Sequence, residues 1–253
     1  MSIMSMIKQM RYVACLGLLF CSHVQAEVII NSSGNQARLI ELYTSEGCSS
    51  CPPADRWLSK LETHPDLWKK IIPVAFHVDY WNYIGWHDRF SSTRYSARQR
   101  HYAANDNIDS VYTPGFLING KEWRGFFKRR QLPDEFGREG MGELQLTINE
   151  RNIDARFTPA DAVLREKLYL NVAVLGFDIE THVEAGENRN RKLVHDFVVL
   201  GYKALPLSLE QGIYTVMSSL PATVETSSRT AVAAWINKSG NPTPLQAAGG
   251  WLQ

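Results

Sequence analysis

The chain has 253 residues, 44% of them hydrophobic, with 27 basic against 26 acidic side chains and a formal net charge of +1. That length and apolar content suffice for a sizeable core and exceed what one domain usually carries, so two domains are expected. The near-neutral balance excludes a chain built to hold nucleic acid or an acidic membrane surface by bulk charge.

Residues 1–26 have the layout of a secretory signal peptide: Lys8 and Arg11, an apolar run Tyr12–Cys21, then Val24-Gln25-Ala26. The apolar run is much shorter than the roughly 20 residues a spanning helix needs. No later stretch approaches that length, so no stable membrane span is expected once the signal is removed. Cleavage after Ala26 leaves Cys48 and Cys51 as the only cysteines, facing an oxidising compartment, and changes the formal charge to −1. The expected location is periplasmic or secreted.

"ARLIELYT" (37–44) is a compact apolar run between polar turns and predicts a buried strand. "PPADRWLSKLE" (52–62) opens with proline, has Asp55 in its first turn, and spaces Trp57, Leu58 and Leu61 as a helix does. "IIPVAFHVDYW" (71–81) predicts the next strand, and "SSTRYSARQRHYAAN" (91–105) an exposed helix carrying Arg94, Arg98, Arg100 and His101. "GFLING" and "KEWRG" predict a hairpin about Asn119-Gly120. Glycines 137, 140 and 142 suggest a boundary near residue 140, giving a leader (1–26), a CxxC-bearing domain (27–140) and a β-rich domain (141–253). In the last of these, alternating segments such as "ELQLTINERNIDARF" predict short strands of an antiparallel, sandwich-like fold.

Cys48 and Cys51 therefore fall at a strand-to-helix turn, and three chemistries suit them. A helix N-terminus stabilises a thiolate, so Cys48 would be the nucleophile and Cys51, one turn in, the resolving thiol of a dithiol exchanger. As a staple the pair is poor, because a four-residue loop has little entropy to remove. As a metal site it needs more ligands; His77 could join the two thiolates around a soft ion such as Cu(I). A non-catalytic binding scaffold with an inert disulfide is a further alternative. The aromatic run Tyr80, Trp81, Tyr83, Trp86 and Phe90 leaves a strand near this turn and could wall a substrate groove, with Trp81 and Tyr80 as candidate substrate-binding residues.

"ELYTSEGCSSC" followed by "YTPGFLINGKEWRG" resembles the thioredoxin superfamily, the second segment especially its glutaredoxin pattern. That resemblance implies an α/β thioredoxin-like N-terminal domain, a cis Thr113-Pro114 bond beside the cysteines, and Thr113 and Pro114 presenting a substrate strand. In the protein disulfide isomerase pattern a buried glutamate on the preceding strand moves protons to the resolving cysteine, which implies that role for Glu41, although one additional residue separates it from Cys48. Together with "VAFHVDYWNYIGWHDRFSSTRYSARQRHYA" and "THVEAGENRNRKLVHDFVV", these segments resemble a family of secreted bacterial proteins known as DUF1223. The expected function is exported thiol-disulfide exchange on a protein or small-thiol partner, without a cofactor.

Overall fold

The computed structural model describes residues 27–128, 130, 132–133, 137–161 and 166–252; the expected leader lies outside them. The first half holds β1 (Val28–Asn31), β2 (Arg38–Thr44), α1 (Pro52–Ser59), β3 (Ile71–His77), α2 (Thr93–Ala104), β4 (Gly115–Ile118) and β5 (Lys121–Glu122). The second holds β6 (Glu143–Asn149), β7 (Asn152–Thr158), β8 (Leu168–Gly176), β9 (Ile179–His182), β10 (Lys192–His195), β11 (Val198–Pro206), β12 (Ser208–Glu210), β13 (Ile213–Ser219), β14 (Thr230–Lys238) and β15 (Pro244–Leu252). The β4–β5 turn has Asn119 and Gly120 both at positive φ, 48° and 76°, as a tight two-residue hairpin requires.

The expected α/β thioredoxin-like unit followed by an all-β sandwich is not what forms. The described residues contain fifteen strands but two α-helices, of 8 and 12 residues. Strands from both sides of residue 140 share one eight-stranded sheet, in the order β15-β14-β8-β11-β3-β2-β4-β5. The junction is narrow: β3 and β11 run parallel and meet in register at Ala75 and Val198. Ala75 N–H donates to the Phe197 carbonyl there, at 2.8 Å. A second sheet, β1-β6-β7-β13-β12, is antiparallel throughout, and β9 pairs with β10 alone.

Two cores follow from strand alternation. On β8 and β14, Leu170, Val172, Val174, Val232, Ala234 and Ile236 face the second sheet, whose Leu144, Leu146, Ile148, Ile153 and Phe157 oppose them. The intervening residues Ala173, Leu175, Ala231, Ala233 and Trp235 join the other core with β2 and β3. Burial on both faces explains why "LYLNVAVLG" and "TAVAAWIN" are almost continuously apolar. The sheet curls far enough for Trp235 of β14 to meet Phe76 of β3, with ring centroids 6.2 Å apart. Among the described residues, no helix is long and apolar enough to cross a membrane.

α2 differs from the exposed helix expected. Tyr95, Arg98, Gln99 and Tyr102 recur at helical spacing and are all buried. Ser92 caps its N-terminus by accepting from Arg94 N–H.

Gln246, fully buried in β15, holds distant segments together. Its Oε1 accepts from Ala37 N–H at 3.0 Å, and its Nε2 donates to the carbonyls of Ser33 and Gly142, at 3.0 and 2.7 Å. Gln246→Met keeps the side-chain volume but leaves these backbone groups without their partner. Urea denaturation should show a loss of about 2–4 kcal/mol; a loss below about 1 kcal/mol would mean that other partners satisfy them.

Candidate functional site

Cys48 and Cys51 are joined as a disulfide in the turn between β2 and α1, with Cα atoms 5.4 Å apart. Cys48 N–H donates to Ser45 O and Cys51 N–H to Cys48 O, and Cys51 stands at the N-cap position of α1 without a side-chain capping bond. Pro52 and Pro53 open that helix without N–H groups, which suits its first turn and removes two donors that would otherwise face the cysteines. Ser49 and Ser50 are exposed, whereas Cys48 and Cys51 are 1% and 0% exposed. The Ser50 hydroxyl lies 3.3 Å from Cys48 Sγ.

The strand-to-turn register brings several expected residues together. β4 pairs Gly115 with Tyr43, placing the cis Thr113-Pro114 bond at the end of β2 from which the cysteine turn leaves. Trp81 Nε1 donates to Thr113 Oγ1 at 2.7 Å. A Cβ placed on Gly47 would lie 3.1 Å from Trp81 Cβ and 3.2 Å from Ile84 Cδ1, so these residues close over the turn and a larger side chain there would push them back by a few tenths of an ångström. Tyr80 donates to Gln99 Oε1 at 3.1 Å, and Gln99 Nε2 to Tyr112 O at 2.7 Å, bracing the segment before Pro114.

Glu41 has other partners. Its buried carboxylate receives a bidentate contact from Arg98, at 2.8 and 3.0 Å, and the hydroxyls of Tyr43 and Tyr102. Strand alternation turns Glu41 and Tyr43 to the α2 side and Thr44 to the opposite one. On that side Thr44 Oγ1 donates to Asp55 Oδ1 at 2.8 Å, and Asp55 N–H donates to Cys51 O at 3.1 Å. Burial pushes the Asp55 carboxyl above its usual range; His195, His77 and the Thr44 hydroxyl oppose this only in part. Asp55, not Glu41, is thus the buried acid one helical turn from Cys51.

Beside it lies a cluster that sequence reading missed. His77 Nδ1 is 2.7 Å from Asp88 Oδ2, and His195 Nε2 is 3.2 Å from Glu46 Oε1, all four residues being buried. The two imidazoles meet edge to face with centroids 5.0 Å apart. Trp86 Nε1 donates to Glu46 Oε2, and Glu46 N–H to Asp88 Oδ2. Burial opposes charge on His77, but Asp88, then Asp55 and Glu46, outweigh it and push the imidazole up to about 9. Burial likewise opposes ionisation of Glu46 and Asp88, yet the adjacent imidazoles hold both below the usual carboxylate range. No group of three or more His, Cys, Asp or Glu side chains among the described residues is arranged to hold a metal ion. His77, the third ligand in the alternative soft-metal reading, is paired with Asp88.

From the other half of the chain, the loop between β9 and β10 reaches over the cysteine turn. Asn188 Nδ2 donates to the carbonyls of Glu46 and Cys48, at 2.8 and 2.9 Å, and Glu187 Oε2 accepts from Ser49 N–H at 3.1 Å. Neither contact has a local sequence signal, because each joins residues about 140 positions apart.

The raised His77 value sets a pH dependence. Its stabilisation is complete below the ordinary value of 6.5 and is lost as pH rises through about 9. The lowered Glu46 and Asp88 carboxyls act in the opposite sense, their contribution failing in acid. Urea unfolding should therefore show stability declining between pH 6.5 and 9 by about 3 kcal/mol. His77→Gln should be less stable overall and flat across that window; an equal slope in the variant would exclude His77 as its source.

Two solved structures are similar to this one. A crystal structure of a protein from Agrobacterium tumefaciens is 26% identical, covering 86% of this chain and 94% of its own, with a TM-score of 0.59. HBP35 of Porphyromonas gingivalis covers 87% of this chain and 76% of its own with the same TM-score of 0.59, but at 16% identity that likeness shows the fold alone. Among curated proteins none matches. The model of the family described as "Protein of unknown function (DUF1223)" matches residues 39–237, most of the chain, and the protein belongs to that family.

Proposed function

We propose that the protein is an exported thiol-disulfide oxidoreductase, working in the periplasm or outside the cell on a protein or small-molecule partner. The observation that carries this reading is the Cys48–Cys51 disulfide, set in a strand-to-helix turn with the buried acid Asp55 one turn from Cys51. An inert staple gains little from so short a loop, whereas a dithiol exchanger needs two sulfurs within bonding distance and a group that handles the proton of the second.

In the reducing half-reaction a partner thiolate attacks Cys48 Sγ. A mixed disulfide forms, the Cys48–Cys51 bond breaks, and Cys51 leaves as a thiolate that takes a proton from Asp55. A second partner thiolate then attacks the partner's sulfur in the mixed disulfide and releases Cys48. The net transfer is two electrons to the protein and one disulfide formed in the partner. The reverse sequence reduces a partner disulfide, with Asp55 accepting the Cys51 proton. Thr113 and Pro114 border the turn on one side and Trp81 closes over Gly47, so a partner segment would lie along this edge. Since Cys48 is 1% exposed, contact with it requires local opening of the covering segments.

Equilibration of mature protein in glutathione and dithiothreitol buffers, with free thiols counted after alkylation, should give a potential between roughly −120 and −270 mV. A value far below roughly −300 mV would mark a structural bond and end the catalytic reading.

Insulin reduction driven by dithiothreitol should vanish in Cys48→Ser. In Asp55→Asn it should fall by at least about tenfold, with the pH-rate profile losing its lower limb. An unchanged profile in Asp55→Asn would remove that carboxyl from the proton transfer.

A further inference from the structure

The loop between β9 and β10 is built onto the cysteine turn rather than resting near it. Gly186 has a φ of +75°, and a Cβ there would lie 3.1 Å from Ile84 Cδ1 and 3.4 Å from Trp86 Cβ. Asn188 is completely buried with its amide fully used: Nδ2 donates to Glu46 O and Cys48 O, and Oδ1 accepts from Arg191 Nη1 at 2.7 Å. Backbone bonds from Val183 to Arg191 and from Asn190 to Val183 close the loop behind it. Asn188 thereby fixes the neighbouring Glu187 with its carboxylate on Ser49 N–H, at 3.1 Å.

That N–H matters because few donors are left at this helix start. Pro52 and Pro53 have none, and the N–H groups of Cys48, Cys51, Ala54 and Asp55 are bonded to carbonyls of the turn. A Cys48 thiolate formed on reduction would draw on Ser49 N–H, Ser50 N–H and the Ser50 hydroxyl that already lies 3.3 Å from its sulfur. Glu187 occupies the first of these and adds a negative charge beside the second. It is held as a carboxylate by the same contact, which draws its own titration down.

We propose that Glu187, anchored by Asn188, is a positioning residue that sets the redox poise of the Cys48/Cys51 pair: it makes the Cys48 thiol less acidic and the pair more reducing than the turn alone would. The proposal rests on the thiol-exchange reading for its biological meaning, but its physical content is a thiol acidity. The sign follows from charge. A carboxylate next to the turn destabilises the thiolate, hence the reduced form, and so favours the disulfide. The other ionisable groups around the turn, Glu46, Asp55, His77, Asp88 and His195, are buried and are the same in any Glu187 variant. Arg191 is engaged with Asn188.

The test is a pH titration of thiolate absorbance in the fully reduced mature protein, for wild type, Glu187→Gln and Glu187→Lys. Glu187→Gln retains an oxygen for the Ser49 N–H and removes only the charge. Its Cys48 pKa should fall by about 0.3–0.7 unit, a two- to fivefold gain in acidity. Glu187→Lys should move further in the same direction. The difference should shrink in 1 M salt, where the screening length drops to about 3 Å. Equilibration with glutathione should shift toward the dithiol by a similar factor wherever the thiolate is populated. A Cys48 pKa unchanged in both variants would overturn the proposal. Because acidity is read without turnover, an inert wild-type disulfide with a shifted pKa would sink the exchange function and leave the Glu187 effect standing. Active exchange with an unshifted pKa would do the reverse.

Discussion

Five ionisable side chains, Glu46, Asp55, His77, Asp88 and His195, are withdrawn from water beside the cysteine turn, and each relies on the others to remain there. An isolated buried charge is costly, and breaking one member of a buried pair leaves its partner uncompensated. The five come from the turn after β2, from α1, from the end of β3, from the segment before α2 and from β10. Their mutual neutralisation is possible only when β10 and its loop are docked against the β2–α1 corner. The geometry of the disulfide turn and the association of the two halves of the chain are therefore one constraint.

A second buried charge pair works on the opposite side of β2. Arg98 of α2 meets Glu41 through two nitrogens and lies over the rings of Phe76, Tyr102 and Trp235, at 5.6, 5.2 and 4.9 Å. The Tyr102 hydroxyl also lies 3.0 Å from Pro242 O, placing α2 against the β14–β15 turn. One strand thus carries a structural carboxylate on one face and, through Thr44, supports an acid of the candidate site on the other. Side-chain alternation separates the two tasks: residues three apart on a strand cannot share a face.

Much of the local structure was legible because its causes are local. Apolar runs bounded by turn residues marked β2 and β3, Asn119-Gly120 marked the β4–β5 hairpin, and strict alternation marked β6 and β7. The cysteine turn, Thr113 and Trp81 were also visible, since their motifs are short and lie within one half of the chain. The fold class was misread where pairing is distant. Nothing in the local pattern of β3 or β11 says that they will lie side by side, and the apolar runs of β8 and β14 suit a sandwich as well as a sheet buried on both faces. The polarity of α2 concealed that Arg98 points inward, because only its partner Glu41 makes that burial tolerable.

What the amino-acid sequence determined by itself is the pair of cysteines at the start of a proline-led helix, the strands about it, and the aromatic segment that follows. Those features depend on neighbours a few residues away, where backbone preference and side-chain periodicity act directly. Only the tertiary structure decided which acid stands near Cys51, which histidines share the buried charge, and that Glu187 and Asn188 reach the turn from the other half of the chain. Those choices depend on which distant surfaces meet, and an isolated Asp, His or Asn has no sequence pattern that announces its partner.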